Sequence, residues 1–196
     1  EIAKNKLLIE NIQVERCNDS KLALRVVENA NLVSRSKAFK EGDIEIQDLA
    51  SQMAIDFVRP FPGSKVIDFC AGGGGKTLAV ASLMLGKGKI FLHDKDQKRM
   101  KMARERMKRA GVNGEILSSE RLRLRRIKAD LVIVDVPCTG TGVWRRNPAG
   151  KWWLNENRIN DILNNQRKIL LEASNYVAAG GSLAYITCSL LNSENE

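Results

Sequence analysis

The pattern of apolar and polar positions changes character at Lys65. Before it the apolar residues are scattered: Leu7-Leu8-Ile9 has no clear start signal, and Lys21 to Val27 partly alternates and ends in branched residues. The alternating stretch predicts a strand. Leu49, Met53, Ile55 and Phe57 then fit one helical face imperfectly, after a turn signal at Gly42-Asp43 and before Pro60, Pro62 and Gly63. From Lys65 onward, short apolar runs alternate with longer amphipathic ones. Strands are expected over Lys65 to Phe69, Lys89 to His93, Glu115 to Ser118, Leu131 to Asp135 and Ser182 to Thr187. Helical spacing fills the gaps: Thr77 to about Leu85, a stripe of Met100, Ala103, Met107 and Ala110, and Asn155 to Ala179, which Gly180-Gly181 ends. Strictly alternating strands and helices predict an α/β fold, a mostly parallel sheet covered by helices on both faces. No internal repeat or low-complexity segment interrupts it.

The first of these strands runs into the most unusual stretch of the chain, Val66-Ile67-Asp68-Phe69-Cys70-Ala71-Gly72-Gly73-Gly74-Gly75-Lys76-Thr77. It reads as strand, loop, helix, with a backbone free to approach a ligand closely and a helix start offering unpaired amides. Two phosphate-binding patterns can be tested against it. A P-loop needs G-x-x-x-x-G-K-[ST]; Gly75-Lys76-Thr77 supplies its end, but Cys70 stands where the first glycine belongs. A G-x-G-x-x-G dinucleotide fingerprint fails too, because Thr77 or Leu78 falls at its last glycine. What remains is a strand-end loop suited to a ligand with an adenosine part. Asp94 ends the next strand at about the distance where an acid accepts hydrogen bonds from ribose hydroxyls, with Asp96 as its competitor.

Composition narrows the classes. At 196 residues with 43% hydrophobic content the chain can bury one sizeable core. Its net charge of +9 fits a polyanionic partner, and nucleic acid is the commonest one. No apolar stretch is long enough to span a bilayer and Glu1-Ile2-Ala3-Lys4 has no signal-peptide pattern, so a cytoplasmic protein without a membrane partner is expected. With no initiator methionine, the chain is expected to begin inside a larger architecture. The four cysteines, Cys17, Cys70, Cys138 and Cys188, include no C-x-x-C pair and share the chain with a single histidine, His93, so no metal site is expected.

Chemistry gathers beyond the carboxyl ends of parallel strands. There stand Asp135-Val136-Pro137-Cys138-Thr139-Gly140-Thr141-Gly142, after the most apolar strand, and Cys188, between Thr187 and Ser189. Two thiols and an acid at the ends of separate strands, on the edge of the glycine loop, point to chemistry, since packing cysteines belong within strands. Cys70 is expected to contribute only its backbone, Cys17 and His93 to be structural. The basic run Arg121, Arg123, Arg125, Arg126 and Lys128 reads as a solvated face. With Arg145, Arg146 and Lys151, and with Trp144, Trp152 and Trp153 interleaved, it also suits a single-stranded nucleic acid, whose phosphates pair with cations and whose bases stack on aromatics. The tryptophans equally suit a core or a lid.

Together these residues resemble the Nop/Sun family of S-adenosylmethionine-dependent RNA cytosine-5 methyltransferases. The matching elements run in order from Phe39 and Gln47-Asp48 through Pro62-Gly63, D-F-C-A-G-G-G-G-K-T, Asp94 with Arg99, and D-V-P-C-T-G-T-G. They continue with Arg146, Pro148, Trp152, Gln166, Gly180-Gly181, and Y-I-T-C-S with Glu194-Asn195. The resemblance implies a Rossmann-like class I methyltransferase domain over residues 38–196, preceded by an N-terminal segment, 1–37, and an RNA partner, ribosomal or transfer. It implies Cys188 as nucleophile on cytosine carbon 6, Asp135 as hydrogen-bond partner of the base, and Cys138 as assistant in release. Cys70, Ala71, Gly72, Gly73, Gly74, Gly75, Lys76, Asp94, Glu120 and Asp135 become the expected cofactor contacts. Three features depart from the family pattern. Alanine and proline usually stand where Gly72 and Gly73 do, and Ser119 or Glu120 occupies the place of the usual adenine-binding acid. The chain also stops soon after Cys188, where such enzymes continue, so a sheet without its last strands is expected. A module that binds cofactor or RNA without catalysis, and a P-loop-like nucleotide hydrolase, are the competing readings.

Overall fold

The computed structural model describes residues 1–196. An N-terminal unit comes first: α1 (Ile2–Ile9), then β1 (Val14–Arg16) and β2 (Leu24–Val26) paired antiparallel, then a short helix α2 (Lys37–Lys40). Helix α1 left no pattern in the sequence because its apolar residues share no face; only Leu7 is buried. Leu7 joins Ile12, Val14, Val33 and Ala38 in a small core of their own. Ser36 caps α2 by accepting the amide of Phe39. Asp48 caps the next helix, α3 (Leu49–Val58), by accepting the amide of Ala50. On α3 the expected face is corrected: Ile55 is fully buried, but Met53 is 41% and Phe57 87% exposed.

The remainder alternates as expected: β3 (Lys65–Asp68), α4 (Gly75–Leu83), β4 (Lys89–Leu92), α5 (Gln97–Arg109), β5 (Gly114–Ile116), α6 (Ser119–Leu124), β6 (Ala129–Asp135), α7 (Glu156–Ser174) and β7 (Val177–Ile186). The five strands from β3 onward form one sheet in the order β5-β4-β3-β6-β7, and every neighbouring pair is parallel. The chain is thus α/β with helices on both faces. Alternate residues serve the two faces. Val66, Leu131 and Ile133 pack with Leu78, Val80, Met100, Ala103 and Met107 from α4 and α5. Ile67, Val132 and Val134 pack on the other side with Leu122, Ile169 and Ala173 from α6 and α7. A strand buried on both faces needs apolar residues at consecutive positions, which is why β6 is the most apolar run of the chain. No helix is long and apolar enough to cross a membrane.

The expected boundary between the last helix and strand is corrected. Helix α7 stops at Ser174, and Val177–Ile186 is one strand running through Gly180-Gly181. Two contacts arrest the helix: the Asn175 carbonyl accepts Lys128 Nζ at 2.7 Å, and the Tyr176 carbonyl accepts the amide of Ala129 at 2.8 Å. The glycines lie in a register shift between the pairs Ala129/Val177 and Leu131/Ser182. Gly180 takes φ +75°, and a Cβ on Gly181 would sit 2.9 Å from the Ala129 carbonyl oxygen. They build a bulge inside the strand.

Truncating the sheet centre and the exposed helix end should separate sharply. Ile67→Ala is expected to cost about 2–5 kcal/mol of unfolding free energy, whereas Phe57→Ala stays within about 0.5 kcal/mol; urea unfolding of both variants measures the contrast.

Candidate active site

The winding of the sheet reverses at β3. From it the chain goes outward to β4 and β5, then returns to place β6 on the other side. Ligands of open α/β sheets sit beyond the carboxyl ends of strands at such a reversal. Here those ends carry the glycine loop and Asp135.

The loop is held from three sides. The Ala71 amide donates to the His93 carbonyl at 3.0 Å, the Gly72 amide to Asp94 Oδ2 at 2.8 Å, and Arg106 Nη1 to the Gly73 carbonyl at 3.0 Å. Gly72 and Gly74 have φ of +53° and +79°, which side chains rarely adopt. Space forbids them as well: a Cβ on Gly72 would meet the Arg99 guanidinium at 2.3 Å, and one on Gly74 would meet Ala103 Cβ at 3.1 Å. Gly73 and Gly75 have ordinary negative φ. Their amides meet no acceptor within the fold. Asp96 caps α5 by accepting the amides of Lys98 and Arg99, so of the two competing acids Asp94 is the one on the loop.

Lys76 and Thr77 do not act as their P-loop counterparts would. Lys76 Nζ donates to Asp135 Oδ2 at 2.6 Å, joining the ends of β3 and β6 across the crevice. Thr77 is fully buried and its hydroxyl donates to Asp68 Oδ2 at 2.7 Å. Asp68 is itself buried, and its Oδ1 has no partner. Burial pushes its carboxyl up from the ordinary 3.8 to about 6, against the hydrogen bond from Thr77.

Beyond the β6 and β7 ends the two thiols meet. Cys138 Sγ and Cys188 Sγ are 3.1 Å apart, and the Cys188 amide donates to Cys138 Sγ at 3.3 Å. The contact with Cys188 lowers Cys138 to about 7, with backbone donors from Cys188 and Gly140 assisting. The same contact, with burial, pushes Cys188 up. The pair therefore shares one proton near neutral pH, and removing the second is opposed. Cys70 is different: burial, with Asp94 and Asp68 nearby, pushes its thiol up to about 12.

Other expected residues fall where their geometry tells against or for a role. His93 is buried, stacked on Phe69 at 4.6 Å, and bonded through Nδ1 to the Phe69 carbonyl and through Nε2 to Ser119 Oγ. That engagement occupies Ser119; Glu120, beside it in the first turn of α6, is exposed. The basic residues divide. Arg125, Arg126 and Lys128 immediately precede β6 and lie at the opposite edge from the thiols, Arg125 paired with Glu115. Arg145, Arg146 and Lys151 lie on the segment after Cys138, with Trp152 81% and Trp153 66% exposed, so neither of these two is core. Lys151 Nζ lies 4.8 Å from the centre of the Trp152 ring. No group of three or more His, Cys, Asp or Glu is placed to hold a metal ion.

Sequence reasoning assigned no role to Glu194 or Gln166, although both stood among the matching positions. Glu194 is 3% exposed and accepts from Thr139, Ser189 and Gln166. Its signal was available as an acid six residues past Cys188, but a charged residue in a polar tail reads as solvated until the fold buries it.

Comparison with known proteins follows this geometry. Residues 56–196 match the family described as 16S rRNA methyltransferase RsmB/F. The chain is 30% identical over 188 residues to the ribosomal RNA small subunit methyltransferase B of Photorhabdus laumondii subsp. laumondii, covering 94% of this chain and 43% of that one. A methyltransferase homolog protein from Pyrococcus horikoshii superposes with a TM-score of 0.83 at 28% identity, over 97% of this chain and 61% of its own. NSun6 from Pyrococcus horikoshii, solved with SFG, superposes with a TM-score of 0.73 at 32% identity, over 88% of this chain and 46% of its own. The chain thus spans less than half the length of that curated relative.

Asp68 makes stability depend on pH. A carboxyl raised by folding stabilises fully below its unfolded value of 3.8, and that contribution is lost as pH rises through about 6. Relative to the parent, Asp68→Asn should therefore gain up to roughly 3 kcal/mol of unfolding free energy between about pH 4 and about pH 8. Urea unfolding at the two values measures it, and a difference independent of pH would contradict the assignment.

Proposed function

We propose, from the premise that this chain belongs to the 16S rRNA methyltransferase RsmB/F family, that it transfers a methyl group from S-adenosylmethionine to carbon 5 of a cytosine in ribosomal RNA. The observation that carries this reading is the pair of thiols in contact at 3.1 Å, beyond the end of the strand whose Asp135 is joined to the glycine loop by Lys76. The P-loop reading is disfavoured by the engagement of Lys76 with Asp135 and of Thr77 with Asp68.

The residues present suit the cofactor. Gly72 and Gly74 keep the loop backbone bare, the Gly73 and Gly75 amides suit its carboxylate, and Asp94 suits its ribose hydroxyls. Cys70 and Ala71 lend backbone to the same loop, and Glu120, in the first turn of α6, is the acid that would meet its adenine. A solved relative was crystallised with SFG, an analogue of this cofactor. When bound, S-adenosylmethionine supplies an electrophilic methyl group on a sulfonium.

The chain's own residues then make carbon 5 nucleophilic. The Cys188 thiol passes its proton to Cys138 across their contact, and the Cys188 sulfur adds to cytosine carbon 6. As that bond forms, the electron pair of the carbon 5–carbon 6 double bond moves to carbon 5, which takes the methyl group. Asp135 hydrogen-bonds the base and holds it in place as the adduct forms. Cys138 assists release: a base takes the carbon 5 proton, that electron pair restores the double bond, the carbon–sulfur bond breaks, and Cys138 returns to the departing Cys188 sulfur the proton it had taken. Trp152 and Trp153, with Arg145 and Lys151, give the RNA strand stacking surfaces and phosphate partners, while Arg146 is paired with Asp48. With a ribosomal RNA substrate, the protein is read as acting in the cytoplasm.

The test is methyl transfer from radiolabelled cofactor to ribosomal RNA. Cys188→Ala should abolish transfer, while Cys138→Ala should form the adduct more slowly and release it more slowly still, so that a covalent protein–RNA band accumulates. Asp94→Ala should weaken cofactor binding by roughly 10- to 100-fold, the worth of hydrogen bonds to a charged group, measured by calorimetry. Cofactor binding without transfer to any RNA would contradict the catalytic reading.

A further inference from the structure

One buried carboxylate touches both thiol-bearing loops. Glu194 lies in a short turn, Asn192–Glu194, and is 3% exposed. Its Oε2 accepts the Thr139 amide at 3.0 Å and Gln166 Nε2 at 2.8 Å, and its Oε1 accepts the hydroxyls of Thr139 and Ser189. Thr139 is the residue after Cys138; Ser189 is the residue after Cys188. Gln166, reaching in from α7, also donates to the Pro137 carbonyl at 3.0 Å, so the chain is held on both sides of Cys138. Further bonds close the two loops on each other: the Leu190 amide donates to Thr141 Oγ1 at 2.7 Å, and the Gly142 amide donates to the Cys188 carbonyl at 2.9 Å.

No lysine or arginine pairs with Glu194. Burial works against its ionisation, but the hydrogen bonds from Ser189 and Thr139 outweigh it and hold the carboxyl below its ordinary value. A buried charge without a counter-ion persists only where such donors converge on it. The donors here come from the two loops that carry the thiols. We infer that Glu194 is a positioning residue, which ties the loops after β6 and β7 together and so holds the Cys138 and Cys188 sulfurs in contact. Its consequence for methyl transfer rests on the function proposed above; its consequence for the thiols does not.

The charge of Glu194 and its geometry act on Cys138 in opposite directions. The negative charge raises the Cys138 thiol, whereas the contact with Cys188 that Glu194 maintains lowers it. Glu194→Gln removes the charge and replaces the oxygen that both hydroxyls bond with an amide NH2, which weakens the tie between the loops. Positioning therefore predicts that the pH midpoint of Cys138 alkylation rises from near 7 toward the ordinary thiol value of about 8.5. A purely electrostatic role predicts a fall, and a role in stability alone predicts no change.

The experiment is iodoacetamide alkylation of the full chain across pH, with mass spectrometry resolving Cys138 from Cys188, in the absence of cofactor and RNA. In Glu194→Gln the Cys138 midpoint is expected to rise, and Glu194→Asp is expected to recover part of the difference. If Glu194→Gln does not fold, Thr139→Val and Ser189→Ala, which each remove one donor, should move the midpoint in the same direction by less. In the methyl-transfer assay, Glu194→Gln should lower kcat by about tenfold or more and leave KM for the cofactor within about twofold. A Cys138 midpoint that falls or stays in these folded variants overturns the inference. Because alkylation needs neither substrate, a chain that transfers no methyl group but shows the midpoint shift would overturn the function proposed and leave this inference standing.

Discussion

The parallel pairing of β3 with β6 is the constraint on which the site depends. Val66, Ile67 and Asp68 lie in register with Leu131, Val132 and Ile133, in the middle of a sheet covered on both faces. Because this is where the winding reverses, the loops leaving the two strands diverge and open a crevice between them. One wall is the glycine loop, the other begins at Asp135. Lys76 then bridges them with a half-buried ion pair. Such a pair, between two side chains held by rigid elements, contributes more to geometry than to stability.

Much of this was legible in the sequence, for identifiable reasons. The three central strands β3, β4 and β6 announced themselves, since a doubly covered strand must be apolar at successive positions. Positions past strand ends carried the thiols and Asp135, where no core pattern explains them. What was not legible depended on contacts between distant segments. The end of α7 is decided by Lys128 and Ala129, some fifty residues away, and Gly180-Gly181 looked like a helix stop only because a bulge uses the same residues. Met53 and Phe57 suited a helical face, but nothing packs over them. Glu194 looked like a solvated tail residue until Thr139, Ser189 and Gln166 closed around it.

The thiol pair brings chemistry and fold together. Isolated thiols ionise above neutral pH, so a nucleophile at cytosine carbon 6 needs help in losing its proton. In the proposed reaction a second thiol, in contact with the first and bonded by a backbone amide, takes it. The cost is that two sulfurs must be held in contact at the ends of two different strands, on loops that would otherwise move independently. A buried carboxylate bonded to both loops answers that need. Gly72 and Gly73, the least typical part of the chain for its family, are supported in a similar way: the Arg99 guanidinium occupies the space beside Gly72, and Arg106 holds the Gly73 carbonyl.

The central claim is that Cys188 forms the bond to the base and Cys138 does not. Incubating the chain with cofactor and a ribosomal RNA carrying 5-fluorocytosine blocks loss of the carbon 5 substituent and leaves the adduct in place. Nuclease digestion, proteolysis and mass spectrometry then locate the attached nucleotide. The account predicts the methylated fluorocytidine on the peptide containing Cys188; the nucleotide on the Cys138 peptide would contradict it.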